Sequence, residues 1–275
     1  MDFEKACGGS RAYNFHSHTE FCDGRAPMIE MARSAVADGF KAYGFTPHSP
    51  IPIASSCNMS ADRVEEYLAE VGRIQALPEL ASCRFFAGME VDYLGLDWGP
   101  AHPYFQALGL DYTIGSVHFI PAQDGEPVDV DGNFENFKRK MRDHFRGDID
   151  YVVETFYDQS KAMILAGGFD ILGHFDKVGQ NSGYYAPGIE DGSHYRSRVG
   201  EIIDLIIDRG ITIELNTKAR TEHGRFFPGE RYLPRLVDAG VKILVNSDAH
   251  RPDRLDASRA EAFELLDSLT KSTAK

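Results

Sequence analysis

The stretch AYNFHSHTEFCDG, residues 12–24, joins a β-prone run to two histidines and an aspartate. Residues 12–15 predict a strand, and His16 and His18 follow it with one residue between them. Because side chains two apart on an extended chain point the same way, both imidazoles would aim at one place. Asp23 follows five positions later. A shared cation would satisfy such rings, and a polar loop that contains two histidines is the alternative interpretation.

β-prone runs alternate with amphipathic helical runs along the whole chain. Strands are predicted at 42–46, 84–91, 111–120, 170–175, 211–217 and 241–250. Helices are predicted at 28–38, 60–77, 134–166 with a break at Gly147, 194–210, 229–240 and 255–270. Seven such units indicate parallel strands with right-handed crossovers. We expect an α/β fold in one domain over residues 1–275, a seven-stranded relative of the TIM barrel, with a doubly wound open sheet as the alternative.

Composition excludes several classes of protein. The formal net charge of -13 argues against a long nucleic-acid partner, which a broad basic surface would bind. The four cysteines form no CxxC pair, which indicates reduced thiols and a cytoplasmic location. The first ten residues contain no apolar signal core, and no run reaches the roughly 18 apolar residues of a membrane span, so no membrane partner is expected. The oligomeric state is left open.

Potential metal ligands stand at six of the seven predicted strand ends. In barrels of this class the chemistry lies at the C-terminal ends of the strands, so these side chains would meet in one mouth. Nine imidazoles and carboxylates exceed the four to six ligands that one ion needs, which indicates two or three ions of Zn²⁺, Fe²⁺ or Mn²⁺. The nine are His16, His18, Asp23, His48, Glu90, His118, His174, Asp248 and His250.

These residues, from the opening HSHTEFCDG to the closing NSDAH, resemble the PHP (polymerase and histidinol phosphatase) family of metallo-phosphoesterases. The resemblance spans essentially the whole chain. It is strongest to the histidinol-phosphatase branch, through the chain length and the motifs IGSVHF, LGHFDKV and ELNT. One departure is Pro47 in FTPHSP, where many family members have Asp before the histidine.

The resemblance implies a distorted (β/α)7 TIM-like barrel of the PHP type that holds three metal ions. By the same resemblance Glu90 bridges two ions, and Glu90, Asp248 and His250 act in catalysis. The implied ligands are His16, His18, Glu90 and Asp248 for the first ion, Glu90, His118 and His174 for the second, and Asp23, His48 and His250 for the third. Clustered cations of this kind activate a water and stabilise the charge of a phosphoryl transition state.

A phosphate monoester also needs cationic partners beyond the metals, and arginine forks suit its oxygens. Arg196, Arg225 and Lys177 follow the fifth and sixth strands in loops expected at the mouth, where Arg220 competes with Arg225. Asn216 ends the sixth strand and is predicted to orient substrate, with a capping role as the alternative.

The main functional hypothesis is hydrolysis of L-histidinol phosphate to L-histidinol and inorganic phosphate in histidine biosynthesis. A second hypothesis keeps the site and changes the substrate to nucleoside monophosphates or oligonucleotide ends. A third is a non-catalytic PHP module, against which the complete set of nine ligands speaks.

Overall fold

A parallel seven-stranded sheet forms the centre of the protein, whose computed structural model describes residues 1–273. A two-stranded hairpin lies beside it. The strands are β1 (Tyr13–Asn14), β2 (Ala42–Phe45), β3 (Arg84–Asp92), β4 (Tyr112–Ser116), β5 (Phe119–Pro121), β6 (Pro127–Asp129), β7 (Ile171–Leu172), β8 (Ile213–Asn216) and β9 (Ile243–Asn246). The helices are α1 (Phe3–Cys7), α2 (Met28–Ala37), α3 (Val64–Gln75), α4 (Pro103–Gln106), α5 (Phe134–Asp143), α6 (Ile149–Ala166), α7 (Val178–Tyr185), α8 (Ser193–Arg209), α9 (Arg220–His223), α10 (Leu233–Asp238) and α11 (Arg259–Thr273).

The sheet runs in the order β1-β2-β3-β4-β7-β8-β9, and its two edge strands approach each other. Beyond their ends, Ser17 and Ala249 form a parallel bridge. Side chains complete the seam: the amide oxygen of Asn246 accepts from the Phe15 N–H at 3.0 Å, and that of Asn14 accepts from the Ser247 N–H at 2.9 Å. The expected seven-stranded α/β barrel is therefore confirmed in preference to an open sheet.

The long helices bury one face against the sheet. On α8 the buried residues Val199, Ile202, Ile203 and Ile206 recur at helical spacing and belong to the largest apolar cluster. In the barrel interior, the Tyr112 hydroxyl donates to the Phe15 carbonyl at 2.8 Å, directly before His16. A Cβ on Gly44 would collide with that hydroxyl, so only glycine leaves room for this crosslink.

Two segments differ from the expected pattern. The predicted strand 111–120 is two strands, because β4 ends at Ser116 and β5 turns away to pair antiparallel with β6. A tight turn with Gly125 at φ +90° closes this hairpin. The loop predicted after β7 contains α7, whose sequence VGQNSGYY has two glycines and little helical periodicity. The break at Gly147 is confirmed, since α5 and α6 flank it and its φ is +77°.

Within residues 1–273, no helix is long and apolar enough to cross a membrane. The single domain over residues 1–275 stays a prediction, and its last two residues lie outside the described part of the chain.

Candidate metal centre

The nine predicted ligand residues lie together at the C-terminal ends of the barrel strands. Seven of them are less than 9% exposed, and the other two, Asp23 and His250, are partly exposed and form the outer edge of the cluster. Ligand atoms within 4.8 Å of one another form three overlapping groups. The groups are His16, His18 and Asp248; His48, Glu90 and His118; and His18, Asp23, His48 and His250.

Glu90 is the central residue of this cluster, and its two oxygens face different sets of rings. Oε1 lies 2.9 Å from His174 Nε2 and 3.5 Å from His118 Nε2. Oε2 lies 3.0 Å from His48 Nδ1 and 3.3 Å from His16 Nε2. A carboxylate with one oxygen toward each of two ligand sets has the geometry needed to bridge two cations.

The paired histidines after β1 converge as their spacing predicts. The Nε2 atoms of His16 and His18 lie 3.1 Å apart, and Asp248 Oδ1 lies 3.1 Å from His18 Nε2. Asp248 adopts φ +49°, a conformation that non-glycine residues rarely adopt and that functional sites often retain. The backbone after β9 is therefore held in the conformation that brings this carboxylate to the histidine pair.

At the outer edge, one oxygen of Asp23 is surrounded by imidazole nitrogens. Its Oδ1 lies 3.2 Å from His250 Nε2 and 3.7 Å from both His48 Nε2 and His18 Nδ1. That oxygen is buried and has no hydrogen-bond partner within residues 1–273. An unpaired buried oxygen beside the ring nitrogens of His48 and His250 fits a cation, because a cation would satisfy all three atoms at once.

Two buried carboxylates behind the cluster orient its rings. Glu214 Oε2 accepts from His16 Nδ1 at 2.8 Å, and Asp92 Oδ1 accepts from His118 Nδ1 at 2.7 Å. Each bond places the proton on Nδ1 and turns the Nε2 lone pair toward Glu90, which is the arrangement of metal-binding histidines. Sequence reasoning missed both residues. The signal was available, since Asp92 is two positions after Glu90 and Glu214 is two before Asn216, on the same strand faces.

Electrostatics keep the buried carboxylates ionised. Burial alone would raise the pKa of Glu90, but the facing rings of His16 and His48 outweigh it and hold that pKa well below its usual range. Burial likewise opposes ionisation of Asp248, whose pKa is nevertheless lowered by Lys218 and His16. Ionised carboxylates are the form that binds a metal.

The pKa values of the two histidines in the HxH pair are shifted in opposite directions. Burial lowers the pKa of His18, and the neighbouring His250 lowers it further, so this ring stays neutral. Burial would also lower the pKa of His16, but Glu214 and Glu90 outweigh it and raise that pKa well above its usual value. The carboxylates around His16 therefore favour a positive charge at its ring, which either a proton or a bound metal ion would supply.

The predicted substrate-binding residues lie in three different environments. The Lys177 ammonium is mostly buried and pairs with Asp131 at 2.7 Å, close to the cluster. Asn216 is fully buried, and its amide donates to Glu214 at 2.9 Å and to Asp248 at 3.1 Å. It thus holds carboxylates of the centre in place.

The two predicted arginines lie farther out. Arg225 pairs with Glu190 at 3.0 Å and with the fully buried Asp176 at 3.4 Å, so its guanidinium is already engaged by carboxylates. Arg196 is exposed on α8. Their predicted contact with substrate stays a prediction.

A cation that sequence reasoning did not select lies next to the cluster. Lys218 Nζ is 3.2 Å from Asp248 Oδ1 and 3.3 Å from His250 Nε2. The sequence feature that could have identified Lys218 is its position directly after the ELNT strand. Lys218 and Asp23 line two cavities on either side of the cluster.

We name these cavities by their walls. The hairpin cavity has a volume of about 490 Å³ and reaches Asp131 and Lys140 beside the β5–β6 hairpin. The arginine cavity has a volume of about 420 Å³ and is lined by Arg25, Arg251 and Arg254. Both open onto the potential metal ligands.

Known proteins resemble this chain along most of its length. A protein assigned as a histidinol-phosphatase in Schizosaccharomyces pombe is 22% identical over 281 residues, which cover 92% of this chain and 85% of the relative. The structure of a candidate histidinol phosphatase HisK from Listeria monocytogenes has a TM-score of 0.79 at 18% identity, over 90% of this chain and 99% of that one.

A histidinol phosphate phosphatase of Lactococcus lactis, solved with Zn, L-histidinol and phosphate, has a TM-score of 0.63 at 18% identity and covers 94% of this chain and 93% of its own. At these identities the structural likeness establishes the fold. The profile of the PHP domain family matches residues 14–218, about three quarters of the chain. This chain belongs to the PHP domain family.

Proposed function

We propose that this protein is a metal-dependent phosphatase that hydrolyses L-histidinol phosphate to L-histidinol and inorganic phosphate in histidine biosynthesis. The observation that carries the proposal is the division of the Glu90 carboxylate between two sets of histidines, which is built to hold two cations side by side. Relatives named for this activity in a yeast and in bacteria support the choice of substrate.

The donor set fits two to three ions of Zn²⁺, Fe²⁺ or Mn²⁺, since imidazoles and carboxylates are the ligands these metals take. In the proposal Glu90 is shared between the first two ions, and Asp23, with its unpaired buried oxygen, belongs to the third. The ligands are His16, His18, Glu90 and Asp248; Glu90, His118 and His174; and Asp23, His48 and His250. When bound, such ions activate a water and neutralise charge on the transferred phosphoryl group.

The protein's own groups prepare the site for a phosphate. Glu214 and Asp92 fix the ring orientations of His16 and His118, so no reorientation is needed when ligands bind. Lys218 offers an ammonium at the junction of the two cavities, where it can contact a phosphate oxygen.

The hairpin cavity suits the leaving group of a small monoester. Its volume of about 490 Å³ lies in the range of small-molecule sites, and Asp131 and Asp129 line it. These carboxylates are partly exposed and already pair with Lys177 and Lys140, so they would share their charge with the cationic amine of histidinol phosphate.

A phosphate-release screen on protein of measured metal content tests the proposal. We expect kcat/KM for histidinol phosphate to exceed that for AMP and for a synthetic aryl phosphate. Glu90→Gln, which keeps the side-chain shape and removes the charge, serves as the inactive control. Equal kcat/KM values for the three substrates would reject the biosynthetic function and favour a general PHP phosphoesterase that takes nucleoside monophosphates or oligonucleotide ends.

The proposal retains a small-molecule partner and a cytoplasmic location, where the free thiols Cys7, Cys22, Cys57 and Cys83 would stay reduced.

A further inference from the structure

The arginine cavity collects positive charge in an otherwise acidic protein. The chain has a formal net charge of -13, yet Arg25, Arg251, Arg254 and Lys218 all line this one cavity of about 420 Å³. Among residues 1–273, only Glu222 and the potential metal ligands Asp23 and Asp248 bring negative charge to its wall. Cations so grouped repel one another unless an anion lies between them.

The existing partners of these cations leave them available. Arg251 forms two hydrogen bonds with Asp253, at 2.9 and 3.0 Å, so it is the most firmly paired of the three arginines, and both side chains are about half exposed. Arg254 approaches Glu222 only to 3.9 Å. Within residues 1–273, the side chain of Arg25 has no carboxylate partner. A long, exposed contact such as that of Arg254 contributes little, so an anion with good geometry competes effectively for Arg254 and Arg25.

An independent observation also points to a ligand. Ser247 lines the cavity, is only 2% exposed, and its hydroxyl has no hydrogen-bond partner among the described residues. A buried hydroxyl without a partner is rare, because leaving it unpaired costs about 1–3 kcal/mol. Because the hydroxyl oxygen is itself almost completely buried, a rotation of this side chain toward the cavity would let a ligand oxygen satisfy it.

From these observations we propose that the arginine cavity is an oxyanion site, beside the potential metal ligands Asp23, Asp248 and His250 in its wall, that binds a phosphate or carboxylate group. Arginine forks and a serine hydroxyl match the in-plane oxygens of such groups. The anion has two potential sources, which share this chemistry. It is either free inorganic phosphate or a carboxylate on a phosphate monoester other than histidinol phosphate, which carries no second anionic group.

Equilibrium dialysis of the metal-loaded protein against labelled inorganic phosphate tests the first source. We expect two phosphates per chain, one at the metal centre and one in the cavity. Arg254→Ala should weaken the second site roughly 10-fold or more and Ser247→Ala about 2- to 10-fold, since the first removes a charged and the second a neutral hydrogen bond. Arg235→Ala is the matched control, an exposed and ion-paired arginine on α10. Thermal unfolding of each variant shows that it is folded.

A pair of substrates tests the second source. O-phosphoserine differs from ethanolamine phosphate by one carboxylate, so the ratio of their kcat/KM values isolates the contribution of that group. If the cavity holds a substrate anion, Arg254→Ala lowers this ratio roughly 10-fold, and Arg235→Ala leaves it unchanged.

The two arms decide the proposal together. A second phosphate that is lost in Arg254→Ala, with a constant substrate ratio, assigns the site to free phosphate. A fall in the ratio assigns it to a substrate anion. One phosphate per chain in all variants, together with a constant ratio, overturns the proposal. The kinetic arm rests on the proposed phosphatase function, whereas dialysis gives its answer even if no monoester is hydrolysed.

Discussion

His16 Nδ1 donates to Glu214 Oε2 across 2.8 Å, and both side chains are fully buried. Glu214 lies on β8, the barrel strand for which no metal ligand is predicted. Its carboxylate also accepts from the Asn246 amide and the His174 N–H, each at 3.1 Å, and from Asn216 at 2.9 Å. Strand β8 therefore supports the candidate metal centre, because the Glu214 carboxylate accepts hydrogen bonds from groups at the ends of β1, β7 and β9.

Glu214→Gln should weaken metal binding about 10- to 100-fold, since outer partners of ligating histidines have effects of this size. All the groups that face Glu214 are donors, so the introduced amide must direct its own N–H atoms at one of them. Competition with a chromogenic chelator measures the affinity. Glu79→Gln, at an exposed position, is the control. Equal affinities in the two variants would contradict the supporting role.

Glu90→Ala should damage the enzyme more than Asp23→Ala. Glu90 is 1% exposed and faces rings on both sides, whereas Asp23 lies at the outer edge with 29% of its side chain exposed. In the proposed arrangement, loss of Glu90 would remove a ligand from two ions, and loss of Asp23 would remove one from a single ion. Elemental analysis and kcat measure both effects. Similar, mild losses would rule out the bridging assignment.

Metal removal should abolish phosphate release, and Zn²⁺, Fe²⁺ or Mn²⁺ should restore it. We expect two to three equivalents per chain after metal-supplemented expression, because nine ligand groups cannot be satisfied by one ion. Elemental analysis before and after chelation provides the measurement. One equivalent or less would count against a cluster.

Lys218→Ala should lower kcat/KM for a phosphate monoester about 10- to 100-fold. A charge-assisted hydrogen bond to phosphate is worth about 1.5–3 kcal/mol, and the Lys218 ammonium is 3.2 Å from Asp248 at the junction of the cavities. Metal content is measured alongside, to separate a phosphate contact from a loss of the Asp248 position. Lys242→Ala, an exposed lysine paired with Glu4, should keep full activity. A normal kcat/KM in Lys218→Ala would exclude the contact.

Arg225→Ala tests two roles with different readouts. A phosphate contact, as the sequence predicts, would lower kcat/KM roughly 10- to 1000-fold with normal stability and metal content. The ion pair with the fully buried Asp176 instead predicts a loss of about 3–5 kcal/mol in the free energy of unfolding, because a buried carboxylate is left without its partner. Urea denaturation and steady-state kinetics on one preparation distinguish the two.

Much of the fold and of the candidate site can be predicted from local patterns in the sequence. Strand and helix alternation predicts the parallel barrel, because each unit has its own periodicity and the crossover rule supplies the handedness. The ligand types at strand ends then converge because those ends share one rim, as His48, His118 and His174 do. The hairpin after β4 was missed because a run of apolar residues does not reveal where a strand leaves the sheet.

The sequence by itself determined the class of fold, the family and the set of side chains that meet at the rim, since these depend on spacing along the chain. Only the tertiary structure decided which other side chains contact and orient these rim residues. Glu214 reaches His16 across 198 positions, Arg225 is occupied by Asp176, and the cations around Ser247 come from separate loops. Such contacts depend on how distant segments pack, because Coulomb and hydrogen-bond energies depend on separation in space and not along the chain.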